Sequence, residues 1–327
     1  MALPRQQPDF DPGLTQQAEP NLTRAVNRDG TFNVRRTGAG WRAYHPWLQV
    51  ISMKWGPFML VVVALYLFVN TAFALVYFSM PASEIRGTAA PTEFGRFLND
   101  FFFSAHTLTT VGYGSLVPDG IPGNVVAVIE ALAGLMVFAI ITGVLIARVS
   151  RPSARIGYSP NALISPYRGG RGLMFRIVNE RPHNLLDLEA QVLLMTVEAV
   201  NGRTERRFQL LNLERQRIGF FPLPWTIVHP VDGESPLYGK TAEDLASREM
   251  EIIVLLKAFD ELFSQPVQSR YSYRYDEIVW GARFSPSFHV DEKGSLIAEI
   301  NRLGEYELVD LPPEISSIPK QTSVVPA

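Results

Sequence analysis

The sequence contains no cysteine among its 327 residues, which excludes disulfides and thiolate metal sites. It also lacks an excess of either charge: 30 Lys and Arg stand against 32 Asp and Glu, for a formal net charge of -2. That balance argues against a nucleic-acid footprint. Charge is missing locally as well. From Gly56 to Met80 there is no Asp, Glu, Lys, Arg or His, and from Ile121 to Ala147 the only charged side chain is Glu130. Each run exceeds the roughly 20 apolar residues that cross a hydrocarbon core about 30 Å thick, so both are expected to be transmembrane helices. Neither carries repeated arginines, which excludes a voltage sensor.

The first run begins well inside the chain, after a polar segment containing proline and arginine, and this disfavours a cleaved signal peptide. Arg24, Arg28, Arg35, Arg36, Arg42 and Lys54 precede it, and Arg148, Arg151, Arg155, Arg168 and Arg171 follow the second run. The link between the runs balances Glu84 and Glu93 against Arg86 and Arg96. The positive-inside tendency therefore leaves both termini in the cytoplasm.

Residues 1–38 are expected to be an N-terminal tail, because Pro, Gln, Asn and Arg dominate their first thirty positions without apolar periodicity. Residues 39–54 follow. There Trp41, Tyr44, Leu48 and Ile51 recur at helical spacing, which fits an amphipathic helix at the membrane surface or a capped lead-in to the first span. Within the pore region, 55–150, the stretch from Phe97 to Leu108 is apolar but too short to span, and it reads as a re-entrant half-helix. Irregular backbone at membrane depth must be buried in protein or face water, so the segment after it should line a pore.

Past Pro152 short runs rich in Val, Ile, Leu and aromatics alternate with turn signals. GLMFRIVN and LEAQVLLMTVEAV precede Asn201-Gly202, a hairpin signal; RRFQLL, WTIVHPV, EIIVLLKAF and RYSYRY continue the series. This texture predicts a β-sandwich over 151–310, and residues 311–327, with several prolines and no pattern, are expected to be disordered.

The half-helix leads into Thr110-Val111-Gly112-Tyr113-Gly114. With the pore element FFFSAHTLTTVGYG, GVLIARVSRP at the end of the second span, and NALIS, WTIVHPVDGESPLYG and DEIVWGARF beyond it, the chain resembles prokaryotic inward-rectifier potassium channels of the KirBac type. The resemblance implies a fold class of membrane α plus soluble β: two transmembrane helices with a re-entrant pore helix and filter, then a cytoplasmic immunoglobulin-like β-sandwich, assembled as a homotetramer. It places the protein in the bacterial inner membrane. It also implies K+ in the filter, held by carbonyls of Thr110, Val111, Gly112 and Tyr113 and the Thr110 hydroxyl, with no other cofactor. The chemistry fits, since dehydrated K+ needs oxygen ligands and glycine accepts the positive φ that inward-pointing carbonyls require. The C-terminal end of the half-helix would turn its partial negative charge toward the cavity.

Phe138, Thr142 and Ile146 share a helix face. The resemblance turns that face to the pore and makes Ile146 an apolar constriction able to gate by dewetting. Gly134 and Gly143 would permit close packing or a hinge. Three positions depart from the family pattern. Phe138 stands where strongly rectifying relatives carry an acid, so polyamine block should be weak. His106 replaces a common Glu behind the filter, and Leu116 a partner Arg; Glu130 is then expected to support the filter, by contacting His106 or by bonding filter or backbone groups. Arg148, Arg151 and Arg155, with Trp41 and Lys54, form a candidate site for anionic lipid, or act as topology anchors; activation by phosphoinositide is not assured, because Ser153 and Ala154 replace lysines.

Nothing points to an enzyme. The five histidines are dispersed, and GESPLYGKT has five residues between its glycines where a phosphate loop needs four. The Asn21-Leu22-Thr23 sequon falls on the expected cytoplasmic side. Two rivals are a channel gated by a nucleotide-binding domain, which the lack of GxGxxG disfavours, and a membrane-anchored binding protein that conducts nothing.

Overall fold

The computed structural model describes residues 13–14, 24–34, 37–38, 45–150, 154–200 and 203–318. The chain divides into two compact units, one of residues 36–151 and one of residues 1–35 with 152–327.

The first unit is helical. A short helix, α1 (Pro46–Ser52), opens on proline, which loses nothing there because a first-turn N–H has no intrahelical acceptor. The long helix α2 (Trp55–Phe78) follows at once; at 1.5 Å per residue it is about 36 Å long, enough to span. A two-residue strand, β1 (Ile85–Arg86), leads to α3 (Glu93–Leu108), where the Thr92 hydroxyl accepts from the Gly95 N–H at 3.1 Å and Glu93 favours the positive end of the helix. Strand β2 (Val117–Pro118) pairs antiparallel with β1 and so closes the re-entrant loop at its two ends. The second span is α4 (Ile121–Val149). Glu84 reaches its first turn, its carboxylate accepting from the Gly123 N–H at 3.2 Å. Tyr77, Ile85 and Phe103 form the small buried core where α2, β1 and α3 meet.

The second unit is a sandwich of two five-stranded sheets. Its elements are β3 (Ile156–Tyr158), β4 (Ala162–Tyr167), β5 (Gly170–Asn179), β6 (Leu185–Val200), β7 (Arg203–Leu210), β8 (Arg217–Phe220), β9 (Trp225–Val231), α5 (Ala242–Ser247), β10 (Glu251–Asp260), β11 (Gln265–Arg274) and β12 (Ile278–Trp280). One sheet runs β11-β10-β6-β7 with β8 beside β6; the other runs β12-β4-β5-β3 with β9 beside β5. The alternation seen in sequence is the reason: Leu173, Phe175 and Ile177 of β5 face Leu188, Ala190, Val192 and Leu194 of β6 and Ile252, Val254 and Leu256 of β10 in one buried core. β6 and β7 pair on either side of Asn201-Gly202, which lies outside the described residues. Four short strands, β13 (Ala282–Phe284), β14 (Phe288–Val290), β15 (Leu296–Ala298) and β16 (Tyr306–Leu308), make two further hairpin-like pairs, β13 with β16 and β14 with β15.

Three terminal expectations change. Residues 24–34 do not behave as a tail: Val26 is fully buried, Ala25 and Val26 pack on Leu193, Met195, Phe208 and Ile253, and both of their N–H groups donate to Glu251, at 2.8 and 3.3 Å. Within 24–34 the docking rests on two adjacent small apolar residues, and Leu14 packs against the same cluster; neither makes a period. Residues 311–318 are likewise held, although their prolines forbid a ladder. Arg171 donates to the Pro312 carbonyl at 2.8 Å, the Gly239 N–H to Glu314 at 2.7 Å and the Gly233 N–H to the Ser316 carbonyl at 3.0 Å. Finally, the surface helix covers Pro46–Ser52, with Leu48 exposed, while Trp41 and Tyr44 lie outside the described residues.

Candidate functional site

The half-helix α3 ends in a cap that sets the direction of the next residues. The Val111 N–H donates to the His106 carbonyl at 2.9 Å and the Thr110 N–H to the Thr107 carbonyl at 3.0 Å, the paired bonds of a Schellman motif. Its left-handed position is Thr110, φ 59°, where glycine is usual and a β-branched residue is strained. Gly112 and Gly114 also have positive φ, 57° and 80°, with Val111 and Tyr113 between them on negative φ, so the backbone changes hand along the loop. Val111 and Tyr113 are exposed in the single chain. The Tyr113 ring meets the His106 imidazole edge-on, with centroids 4.8 Å apart. The glycines were legible in the sequence. The strain at Thr110 was not, because nothing about a threonine announces a helix cap.

Behind this loop sits a buried polar cluster. Glu130 accepts from the Tyr77 hydroxyl at 2.6 Å and from the Ser104 hydroxyl. Ser104 also lies 3.1 Å from Asn70 Oδ1, and the Asn70 amide donates to the Tyr66 carbonyl at 2.7 Å. Glu130 therefore bonds neither His106 nor filter or backbone groups, the two alternatives the sequence suggests; His106 is turned to Tyr113, while Ser104, two residues earlier on α3, faces α4. Tyr77 and Ser104 are partners that sequence reasoning missed. Their signal is present, since a polar side chain inside an apolar run needs a partner at the same depth.

Of the two α4 glycines, Gly134 is a contact. A Cβ there would lie 2.1 Å from the Leu108 carbonyl oxygen, so the helix backbones touch at that point. Nothing lies within 4 Å of a Cβ on Gly143. Phe138 and Ile146 are exposed and Thr142 is half-buried, on a stripe with no partner among the described residues of this chain.

Of the candidate lipid residues, three are described. Arg148 donates to the carbonyls of Val50, Ile51 and Met53 and stacks over Trp55 and Phe58, so its guanidinium is committed to the α1–α2 junction. Lys54 is exposed beside it. Arg155 is exposed on the other unit, and Trp41 and Arg151 lie outside the described residues.

In the sandwich, a cavity of about 630 Å³ is lined by Tyr167, Arg168, Glu214, His229, Asp232 and Ser235 among others. Burial holds the His229 imidazole below its ordinary pKa. Its Nδ1 lies 2.6 Å from the Asn212 carbonyl, which only accepts, so Nδ1 carries the hydrogen and Nε2 accepts from the Ser235 hydroxyl at 2.8 Å. Gly233–Thr241 is no phosphate loop: Ser235 serves His229, and Thr241 caps α5 through the Asp244 N–H at 3.3 Å.

These features agree with comparisons against known proteins. Residues 156–323 match the model of the inward rectifier potassium channel C-terminal domain, and residues 58–151 that of an ion channel. The inward rectifier potassium channel Kirbac3.1 of Paramagnetospirillum magnetotacticum is 34% identical over 286 residues, covering 86% of this chain and 95% of that protein. Inward rectifier potassium channel 4 of Rattus norvegicus is 33% identical over 69% of this chain, and that of Homo sapiens 33% over 66%. The chain spans about half the length of these two, 54% and 51%. Two spanning helices around a re-entrant half-helix, a β-sandwich after them, and similarity along nearly the whole chain lead to one conclusion: the chain belongs to the inward rectifier potassium channel family and is of its prokaryotic KirBac type.

Proposed function

We propose that four copies of this chain surround an axis and pass K+ along it through Thr110–Gly114. K+ trades its hydration shell for carbonyl oxygens of Thr110, Val111, Gly112 and Tyr113 and the Thr110 hydroxyl. The observation that carries this reading is the alternation in backbone hand, with positive φ at Thr110, Gly112 and Gly114 directly after the capped end of a half-helix too short to span. An ordinary turn needs one or two such residues. Three, on every other position, serve to aim successive carbonyls the same way.

Below the filter, Phe138 and Thr142 line the cavity, and Ile146 is the gate. Four Ile146 side chains drawn together form an apolar ring that empties of water and stops the ion. Phe138 brings no charge into the cavity, so polyamines block weakly. No bond is made or broken, and the protein acts as a channel, not an enzyme. Both termini face the cytoplasm of a bacterial inner membrane, and anionic lipid modulates opening through basic residues beside the spans, the exposed Lys54 among them.

Rubidium uptake into proteoliposomes tests the reading. Uptake driven by an internal K+ load, suppressed by external K+ and not by Na+, is the expected result. Wild-type vesicles that take up no rubidium, as a non-conducting membrane anchor would give, overturn it. So does Na+ competing as well as K+, or a stably monomeric protein in the bilayer.

A further inference from the structure

Three helices converge on one carboxyl group. Asn70 and Tyr77 on α2, Ser104 on α3 and Glu130 on α4 are each at most 1% exposed, and their side chains form a continuous set of hydrogen bonds. No Lys, Arg or His touches this set among the described residues: Arg96 is turned to the Phe78 carbonyl and Asp100, His106 to Tyr113, and Arg148 to the end of α1. A carboxyl group that has no cation beside it inside an apolar layer is held by hydrogen bonds alone.

The Tyr66 carbonyl fixes the Asn70 amide, because its NH2 must face that acceptor, and Oδ1 is left facing Ser104. Ser104 has one hydrogen and two oxygens within reach, Asn70 Oδ1 and Glu130 Oε1. Tyr77 supplies one more, to Glu130 Oε2. The set therefore accepts one hydrogen beyond those that Tyr77 and Ser104 bring. An amide NH2 at position 130 provides it: Nε2 would donate to Ser104, Ser104 to Asn70, and Oε1 would accept from Tyr77.

Geometry links the set to the filter. Glu130 and Gly134 are one turn apart on α4, and Ser104 and Leu108 one turn apart on α3; Ser104 is joined to Glu130 by the hydroxyl–carboxyl bond, and Leu108 to Gly134 by contact of backbone with backbone. Between Ser104 and Leu108 sits His106, whose carbonyl receives the Val111 and Gly112 N–H groups at 2.9 and 3.4 Å. A shift of α3 on α4 thus moves the start of the filter.

We infer that Glu130 is a positioning residue for the filter, and that it holds the half-helix to the two spans through hydrogen bonds to Tyr77 and Ser104 rather than through a charge. The inference rests on the channel reading above and specifies how its filter is held.

The test compares Glu130→Gln, Glu130→Ala, Tyr77→Phe and Ser104→Ala in full-length protein, by K+ over Na+ permeability in planar bilayers and by tetramer content in detergent. Glu130→Gln should keep the wild-type ratio within about twofold, because the amide completes the same bonds. Glu130→Ala should lower it by about tenfold or more, and the single hydroxyl deletions by an intermediate factor, since each leaves a buried partner unmade. A wild-type ratio in Glu130→Ala overturns the inference, as does a loss in Glu130→Gln as large as in Glu130→Ala, which would mean that charge matters. Where Glu130→Ala does not assemble, the hydroxyl deletions decide: wild-type ratios in both overturn it. Failure of wild-type protein to conduct sinks the channel reading, whereas a conducting wild type with indifferent variants sinks only this one.

Discussion

Arg148 donates to the carbonyl oxygen of Met53 at 2.6 Å, which binds the last turn of α4 to the chain between α1 and α2. The same guanidinium donates to Ile51 at 3.0 Å and stacks 4.4 Å above Phe58. A planar fork at the carbonyl end of α1 meets several acceptors at once, which a single ammonium cannot do. Arg148→Ala should therefore destabilise the helical unit by roughly 2–4 kcal/mol and alter open probability, because Ile146 lies two residues earlier on the same helix. Arg148→Lys should recover less than half of the loss. Thermal melts and single-channel recordings check both; a lysine variant equal to wild type would show that only the charge is needed.

Gly134 and Gly143 are separated by what a methyl group would meet. At Gly134 a Cβ runs into the Leu108 carbonyl oxygen, and at Gly143 it meets nothing in the same chain. Gly134→Ala should push α3 off α4, lowering assembly or K+ selectivity severalfold. Gly143→Ala should leave selectivity intact and favour a straighter helix by about 0.5–1 kcal/mol. Selectivity in bilayers and tetramer yield are the measurements. Normal selectivity in Gly134→Ala would mean that the helices part at no cost.

Long apolar runs such as Gly56–Met80 and the alternation of Leu173, Phe175 and Ile177 are statements about solvent, and solvent acts on every residue of an element; those elements were legible. Glu130 was legible as a residue needing a partner, but the partner's identity depends on helix rotation, since Ser104 and His106 stand about 200° apart around α3 and only one of them can face α4. Thr110 at φ 59° and the docking of Ala25 and Val26 depend on hydrogen bonds to backbone and to the distant Glu251, and such bonds leave no period in the sequence.

Phe138 governs block from inside, on the proposed assembly. A phenyl ring attracts a polyamine no more than any apolar wall does, so spermine at micromolar concentration should leave most outward current. Phe138→Asp would place four carboxylates around one aqueous cavity, and charges a few Å apart at low effective dielectric attract by several kcal/mol. The half-blocking spermine concentration should fall by at least about tenfold in patch recordings. Strong block of the wild type would place the blocking site elsewhere in the pore.

His229 makes the sandwich sensitive to acid. In the unfolded chain its imidazole titrates near 6.5, and burial lowers that value in the fold. Between the two, the unfolded state binds more protons, so stability rises with pH there: it is complete above about 6.5 and declines as pH falls below it. Protonation also requires Nε2 to give up the hydrogen bond it accepts from Ser235. Melting temperature should drop by at most about 5 °C per pH unit on acidification, and His229→Gln should flatten that slope. An unchanged slope would assign the acid sensitivity to other groups.

Glu251 holds residues 24–34 on the sandwich. Its side chain, 2% exposed at the start of β10, accepts the N–H groups of Ala25 and Val26, while the Ser272 hydroxyl donates to the Val26 carbonyl at 2.6 Å. Arg24 and Arg28 both pair with Glu277, although the Arg28 side chain is exposed. Removing the carboxylate leaves two backbone donors in a buried groove without an acceptor, and two hydrogen bonds to a charged group are lost together. In full-length Glu251→Ala, tryptic cleavage after Arg28 should accelerate by about tenfold or more, with sandwich melting changed far less. Glu251→Gln, which keeps one acceptor oxygen, should fall between. Equal cleavage rates in all three proteins would show instead that the buried Val26 side chain, and not the carboxylate, keeps the segment in place.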